Sequence, residues 1–288
     1  MIKRIVTHPG SAHKDDFLAT CVLISKFGAP VERRDPTPDE LLDPSVALVD
    51  IGGSDDATLS NFDHHQYPRE HAPSCALSLV LKAQGLYQDA LMVCDWLETA
   101  EWFDSRGPHQ TAEWLGVSRQ AVARLNSPID ITLLRRFAGL TELSSPQTLY
   151  EVMRYIGDDL RDHIESSRRR FDAVKAQAAV WELNLEGELG RALFLERGET
   201  LPDEPSALLS RYGRHLAGGR PLFALVYPDR RGTGYGITRF DDHPRLDFSR
   251  VADQQDVHFA HTSGFMCKTT ATEPQRLREL IEKAYSAR

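Results

Sequence analysis

At 288 residues, with 41% hydrophobic and 26% charged side chains and a formal net charge of −8, the chain has the composition of a soluble globular protein of one large or two ordinary domains. The negative balance argues against an extended, non-specific grip on duplex nucleic acid, which needs a basic face, and no apolar run approaches the roughly 20 residues of a membrane helix. Four cysteines, Cys21, Cys75, Cys94 and Cys267, form no Cys-x-x-Cys pair, so neither a disulfide framework nor a thiolate zinc site is indicated, and they read as reduced thiols in a cytoplasmic protein.

The opening run, Met1-Ile2-Lys3-Arg4-Ile5-Val6, is too short in its apolar part for a signal peptide and reads as a first buried strand ending at Thr7-His8. Asp15 and Asp16 then precede Phe17, Leu18, Ala19, Val22, Leu23 and Ile24, a helix with acids in its first turn, where they favour the positive end of the dipole. Asp16 is expected to point along that helix. Val46-Ala47-Leu48-Val49 is a second buried strand, with Asp50 at its end and Gly52-Gly53 permitting a sharp turn. In open α/β sheets, sites form beyond the carboxyl ends of strands, where His8 and Asp50 fall. Cys75 to Leu86 reads as a helix closed near Gly85, and a second helix covers about 88–103, with Asp104-Ser105-Arg106-Gly107 as its exit. Leu149, Met153, Ile156, Leu160, Ile164, Phe171, Val174 and Ala178 keep one face of a long amphipathic helix. Strands follow at 192–195, 222–227, 235–238 and 257–261, and a last helix aligns Leu277, Leu280, Ile281 and Ala284.

The segment most in need of explanation is Asn61-Phe62-Asp63-His64-His65-Gln66. A carboxylate followed by two imidazoles must share a metal, share a proton or face water, because burying such groups unpaired is costly. Taken with His8, His13, Asp15 and Asp50, it forms a donor set of imidazole and carboxylate without thiolate. Such a set suits manganese, magnesium or zinc. Two ions are favoured over one, with Asp50 as a bridge, because so many donors exceed the needs of a single ion.

Asp63-His64-His65, with His13-x-Asp15 and Val49-Asp50, resembles the DHH phosphoesterase superfamily. More closely, Thr7-His8-x-Gly10-x-x-His13-x-Asp15, Asp50-Ile51-Gly52-Gly53, Phe62-Asp63-His64-His65-Gln66, Ala123-Arg124-Leu125-Asn126 and His261-x-Ser263-Gly264-Phe265 resemble the MYG (melanocyte proliferating gene) exonuclease family. The resemblance implies His8, His13 and Asp50 on one metal, and Asp15, Asp50, His64 and Asp104 on the other. Asp63 would be a ligand or would orient an imidazole, and His65 would face the substrate phosphate. The catalytic set is thus Asp50, Asp63, His64 and His65, the cofactor two divalent ions, Mn2+ first. His13 stands where the superfamily's first motif usually has aspartate. The family's Asp-Asn-Gly is here one residue longer, which leaves Asp104 in competition with Glu101 and Asp95.

His261, Ser263, an exposed backbone at Gly264 and Lys268 could together hold a phosphate or a 3′ end, a substrate-binding set to which the resemblance adds His65. Met266-Cys267 replaces the family's double glycine. The expected architecture is a doubly wound parallel sheet over residues 1–180, including the long helix, followed by a smaller mixed α/β domain over 181–288, with the site in the cleft between them. The expected activity is hydrolysis of a phosphodiester by activated water, as an exonuclease on short or single-stranded nucleic acid. The rivals are a phosphohydrolase of small phosphoanhydrides or nucleotides, and a DNA-binding regulator. The last rests on residues 111–125, where Gly116 and Ser118 suit a helix-turn-helix. The segment's place inside one domain and the acidic charge favour an ordinary helix-loop-helix.

Overall fold

The computed structural model describes residues 1–124, 127–199, 204–216 and 219–286. Leu125 and Asn126, part of one quoted motif and of the helix-turn-helix pattern, lie outside them. The chain forms two compact units, Met1–Ser167 and Arg168–Arg288. Among the described residues no helix is long and apolar enough to cross a membrane.

The first unit contains strands β1 (Arg4–Thr7), β2 (Val31–Arg33), β3 (Val46–Val49), β4 (Asp55–Asp56), β5 (Asn61–Phe62) and β6 (Glu142–Leu143). Its helices are α1 (Lys14–Phe27), α2 (Ala76–Ala83), α3 (Tyr87–Val93), α4 (Leu97–Trp114), α5 (Arg119–Ala123) and α6 (Pro128–Ala138), and α7 (Thr148–Gln177) runs across the division into the second unit. The sheet order is β4-β5-β3-β1-β2-β6. Its centre is parallel, β5 to β3 to β1 to β2, and the short edges β4 and β6 are antiparallel. This is the expected α/β class.

Strand β3, four apolar residues with both faces buried, has no polar position to offer until it ends. One face carries Ile5, Ala47, Val49 and Phe62 into a large core with Leu23, Leu77, Leu81, Leu97, Phe137 and Met153. The other face, Val6, Val46 and Leu48, is covered by Leu41 and Ile51. Leu41 belongs to a short 3-10 turn, Glu40–Leu42.

Glu40 anchors that turn. It is 9% exposed, and it accepts from Arg34 at 2.7 and 2.8 Å, from Arg4 at 3.1 Å and from the Thr37 amide at 2.8 Å. The Arg34 hydrogen bonds outweigh burial and hold its carboxyl at about 2. A depressed carboxylate contributes stability above its unfolded value near pH 4.3, lost as pH falls through the folded one. Glu40→Gln should therefore destabilise the protein by about 1–3 kcal/mol at pH 7, and the gap should shrink toward pH 3. Urea midpoints of both proteins at the two pH values check this; an equal gap at both would contradict it.

The second unit contains β7 (Ala178–Leu185), β8 (Glu188–Leu195), β9 (Leu222–Pro228), β10 (Tyr235–Arg239), β11 (Val257–Ala260) and β12 (Met266–Thr269), with helices α8 (Pro205–His215) and α9 (Pro274–Ala284). Its order is β11-β12-β10-β9-β8-β7, antiparallel except between β8 and β9. The apolar face of α9, Leu277, Leu280, Ile281 and Ala284, packs in its core with Phe223, Ile237 and Phe248.

Candidate metal centre

The register of the first sheet brings the site together. Thr7 pairs with Val49, and Val49 with Phe62, so β1, β3 and β5 end level. The next residues, His8, Asp50 and Asp63, therefore emerge side by side, one strand spacing apart. Asp50 turns there with a φ of 58°, a left-handed conformation that Asp and Asn tolerate better than other non-glycine residues. The first turn of α1 adds His13 and Asp15, and α4 adds Asp104.

Three groups of donor atoms result, each with its atoms within 4.8 Å of one another: His8, His13 and Asp50; Asp50, His64 and His65; Asp15, Asp50, His64 and Asp104. Asp50 belongs to all three. Its Oδ1 lies 3.2 Å from His64 Nε2 and its Oδ2 3.6 Å from His8 Nε2. Asp15, Asp50 and His64 are all buried.

Donor chemistry and hydrogen bonding both fit a divalent cation. His8 Nε2, Asp15 Oδ1, Asp50 Oδ1, His64 Nε2 and Asp104 Oδ2 are buried without a hydrogen-bond partner. His64 Nε2 and Asp104 Oδ2 are 2.6 Å apart yet not aligned to hydrogen-bond each other. Buried polar atoms are ordinarily satisfied, and donors gathered without pairing are what a cation requires. Charge agrees. Burial, followed by the neighbouring charges of Asp50, Asp104 and Asp16, pushes the Asp15 carboxyl well above its usual range. Burial opposes a charge on His64, but Asp104 and Asp50 outweigh it and hold the imidazole at about 10. The cluster is short of positive charge, and a proton on His64 supplies part of it.

Of the competing acids, Asp104 is the one in the cluster. Glu101 is buried elsewhere, accepting from Ser78 Oγ at 2.5 Å and Tyr87 Oη at 2.8 Å, and Asp95 is exposed before the start of α4. Asp63 is set apart from the convergent donors. Its Oδ2 accepts from the Gly53 amide at 2.6 Å, and its Oδ1 from the His65 amide at 3.0 Å while meeting His65 Nδ1 at 2.7 Å. Burial opposes its charge, yet these contacts hold the carboxyl below its usual range. The geometry is that of a group that orients His65 and ties down the turn at Gly53.

Two residues lie outside the sequence expectation. Asp16 does not point along the helix. It is fully buried, caps α1 by accepting from the His13 amide at 2.8 Å, and places Oδ2 3.3 Å from His8 Nε2. That contact outweighs burial and raises the His8 pKa. The signal was present as an acid three residues after the N-cap, where capping turns it back toward the helix start. Arg33, at the end of β2, is 4% exposed and donates to the carbonyls of His8, Gly10 and Ser11 at 2.9, 3.3 and 3.1 Å. Its guanidinium lies 4.4 Å from the Phe137 ring centroid, and Asp16 is its nearest carboxylate at 4.0 Å. Asp16→Asn should therefore be far from mild, costing about 3 kcal/mol by leaving Arg33 without a counter-charge and weakening Mn2+ binding about 10–100-fold. Thermal melts and Mn2+ titration check both; wild-type values in each would sink the assignment.

In the second unit, His261 and Ser263 share one turn, with Nδ1 2.7 Å from Oγ. Gly264 differs from expectation. It is buried, and at its φ of 69° a Cβ would come within 2.0 Å of Asp247 Oδ1. Its role there is close packing rather than an open backbone. Lys268 is already paired, 2.7 Å from Asp229 Oδ1.

Residues 4–86 match the model of MYG1_exonuc, described as an uncharacterised protein family (UPF0160). No curated protein matches. Among solved structures, RecJ in complex with Mn2+ from Thermus thermophilus is 15% identical at a TM-score of 0.28, over 98% of this chain and 51% of that one. RecJ from the same organism with Mg2+ gives 15% and 0.29, over 98% and 49%. The DHH domain of a member of the s1p family of ribosomal proteins gives 12% and 0.31, over 98% and 85%. The chain spans about half the length of RecJ.

Proposed function

We propose, from the match of residues 4–86 to the MYG1_exonuc family model and from the donor cluster, that the chain is a metal-dependent phosphoesterase that cleaves phosphodiesters in short or single-stranded nucleic acid. The observation that carries this reading is the set of five buried, unpartnered donor atoms gathered around Asp50. His8, His13 and Asp50 would hold one divalent ion, and Asp15, Asp50, His64 and Asp104 a second. Manganese is the first choice, with magnesium or zinc also suited to these donors.

When bound, such a pair supplies the Lewis acidity that makes water nucleophilic at neutral pH and offsets charge on the phosphate. The protein's own groups do the rest. Asp50 fixes the spacing of the two sets. Asp63 orients the exposed His65 ring through its contact with Nδ1, and His65 would face the substrate phosphate. Asp16 and Arg33 keep His8 and its loop in place, so the donors are preorganised before substrate arrives. In the second unit, the exposed His261–Ser263 turn would offer hydrogen bonds to a second phosphate, while Gly264 packs behind it and Lys268 is held by Asp229. The four cysteines are free and buried, which suits the reducing cytoplasm.

The test is incubation of purified protein and Mn2+ with labelled DNA and RNA oligonucleotides and with small phosphate compounds. Release of mononucleotides supports the reading. Turnover of nucleotides or phosphoanhydrides alone would replace it with a small-molecule phosphohydrolase, and no turnover of any kind would refute it.

A further inference from the structure

His64, His65 and Asp104 do not only face the ligand cluster. They also line a cleft of about 170 Å3 together with Tyr67, His71 and Arg106. Arg106 occupies the last turn before Gly107, whose φ of 73° and ψ of 171° interrupt α4. Only glycine adopts that backbone freely, and Pro108 then starts the next segment. The break leaves the Arg106 side chain half-buried beside Asp104 instead of inside a continuous helix.

The guanidinium is held from one side only. Nη2 donates to the carbonyl oxygen of His71, and the His71 ring stacks on Tyr67 at 4.0 Å and 11°. The segment after the Asp-His-His run and the end of the first part of α4 thus brace each other across the cleft. Among the described residues Arg106 has no carboxylate partner. It is the one permanently charged cation among the described residues lining the cleft, next to a wall of metal-ligand type. An arginine fork with donors to spare recognises the paired oxygens of a phosphate, and a cation placed apart from the ions is what the non-reacting oxygens need. The cleft is small beside the roughly 300 Å3 of pockets that take larger ligands, a size that suits a phosphate group.

We propose that Arg106 grips the non-bridging oxygens of the phosphate being cleaved. The inference rests on the phosphoesterase reading. It is tested on the full chain loaded with Mn2+, comparing wild type with Arg106→Gln and Arg106→Lys. Three quantities are measured: kcat/KM for bis(p-nitrophenyl) phosphate, affinity for inorganic phosphate by calorimetry, and affinity for Mn2+. Arg106→Gln should lower kcat/KM by about 10²–10³-fold, as loss of one transition-state contact does. It should also weaken phosphate binding at least about tenfold and leave Mn2+ binding as in wild type. Arg106→Lys should recover part of the loss, through charge without the fork. Unchanged kcat/KM and phosphate affinity in Arg106→Gln would overturn the assignment. So would loss of Mn2+ binding, which would tie Arg106 to the ligand framework instead. If wild type binds phosphate through Arg106 but hydrolyses nothing, the phosphoesterase reading fails and the Arg106 site stands.

Discussion

Asp50→Asn should lower kcat/KM on a hydrolysed phosphodiester by roughly 10³-fold or more, about 4 kcal/mol of transition-state stabilisation. The reason is its position. Asp50 is the carboxylate common to all three donor groups, so a single change removes charge from every ion the site could hold. The substitution is also clean. Asparagine keeps the size and an acceptor oxygen, and it is the other residue that tolerates the φ of 58° found there. The sheet should fold as before, while bound Mn2+, measured by elemental analysis after gel filtration, should fall by half or more. A variant within tenfold of wild type in kcat/KM and equal in bound metal would show that Asp50 is not the shared ligand.

Chelation should abolish turnover and leave the fold in place. The core under the site, with Leu23, Leu77, Leu97, Phe137 and Met153 buried, contains no donor from the cluster and survives without ions. What chelation removes is a ligand that binds only the native state. At an ion concentration of 100 times Kd that ligand contributes about 2.7 kcal/mol, or about 5–10 °C in Tm for a unit of this size. Metal-free protein should therefore melt lower by that amount with an unchanged far-ultraviolet spectrum. The proton balance offers a second readout. His64 holds a proton up to about pH 10 without an ion, and it must lose it to act as a ligand, so ion binding at neutral pH should release protons. Calorimetry in buffers of different ionisation enthalpy measures that release. Full turnover after chelation, or ion binding without proton release, would contradict the proposed centre.

The sequence by itself pointed to a candidate cluster and to the donor types in it. His8 and Asp50 each follow a short, largely apolar run, and a strand buried on both faces presents a charged side chain most readily where it ends. Residue type then set the chemistry, because imidazole and carboxylate without thiolate select hard or borderline divalent ions. The helix exit at Asp104–Gly107 was legible as an interruption, but the one helix expected over about 88–103 is two, α3 and the first part of α4, and α4 resumes beyond Gly107. Strand β7 shows what local pattern alone concealed. Trp181, Leu183 and Leu185 alternate inward, but the pattern directly continues the apolar stripe of α7. Strand β12 is four residues long and too short to carry a period.

The tertiary structure decided the rest, because those choices depend on which neighbour lies within hydrogen-bond reach of a side chain. Register made three strand ends level, and pairing between strands far apart in sequence is not written in any one of them. Glu101 and Asp104 are three residues apart on one helix, nearly on one face. Ser78 and Tyr87 on the neighbouring helices claim Glu101 and leave Asp104 for the cluster. Asp16 and Asp15 are adjacent acids, yet capping turns Asp16 back to His8 while Asp15 faces His64 and Asp50. Lys268 was available as a free cation until β9 and β12 came to lie in one sheet and Asp229 took it. In each case the residue's chemistry was fixed in advance, and its partner was set by the packing of segments that only the folded chain brings together.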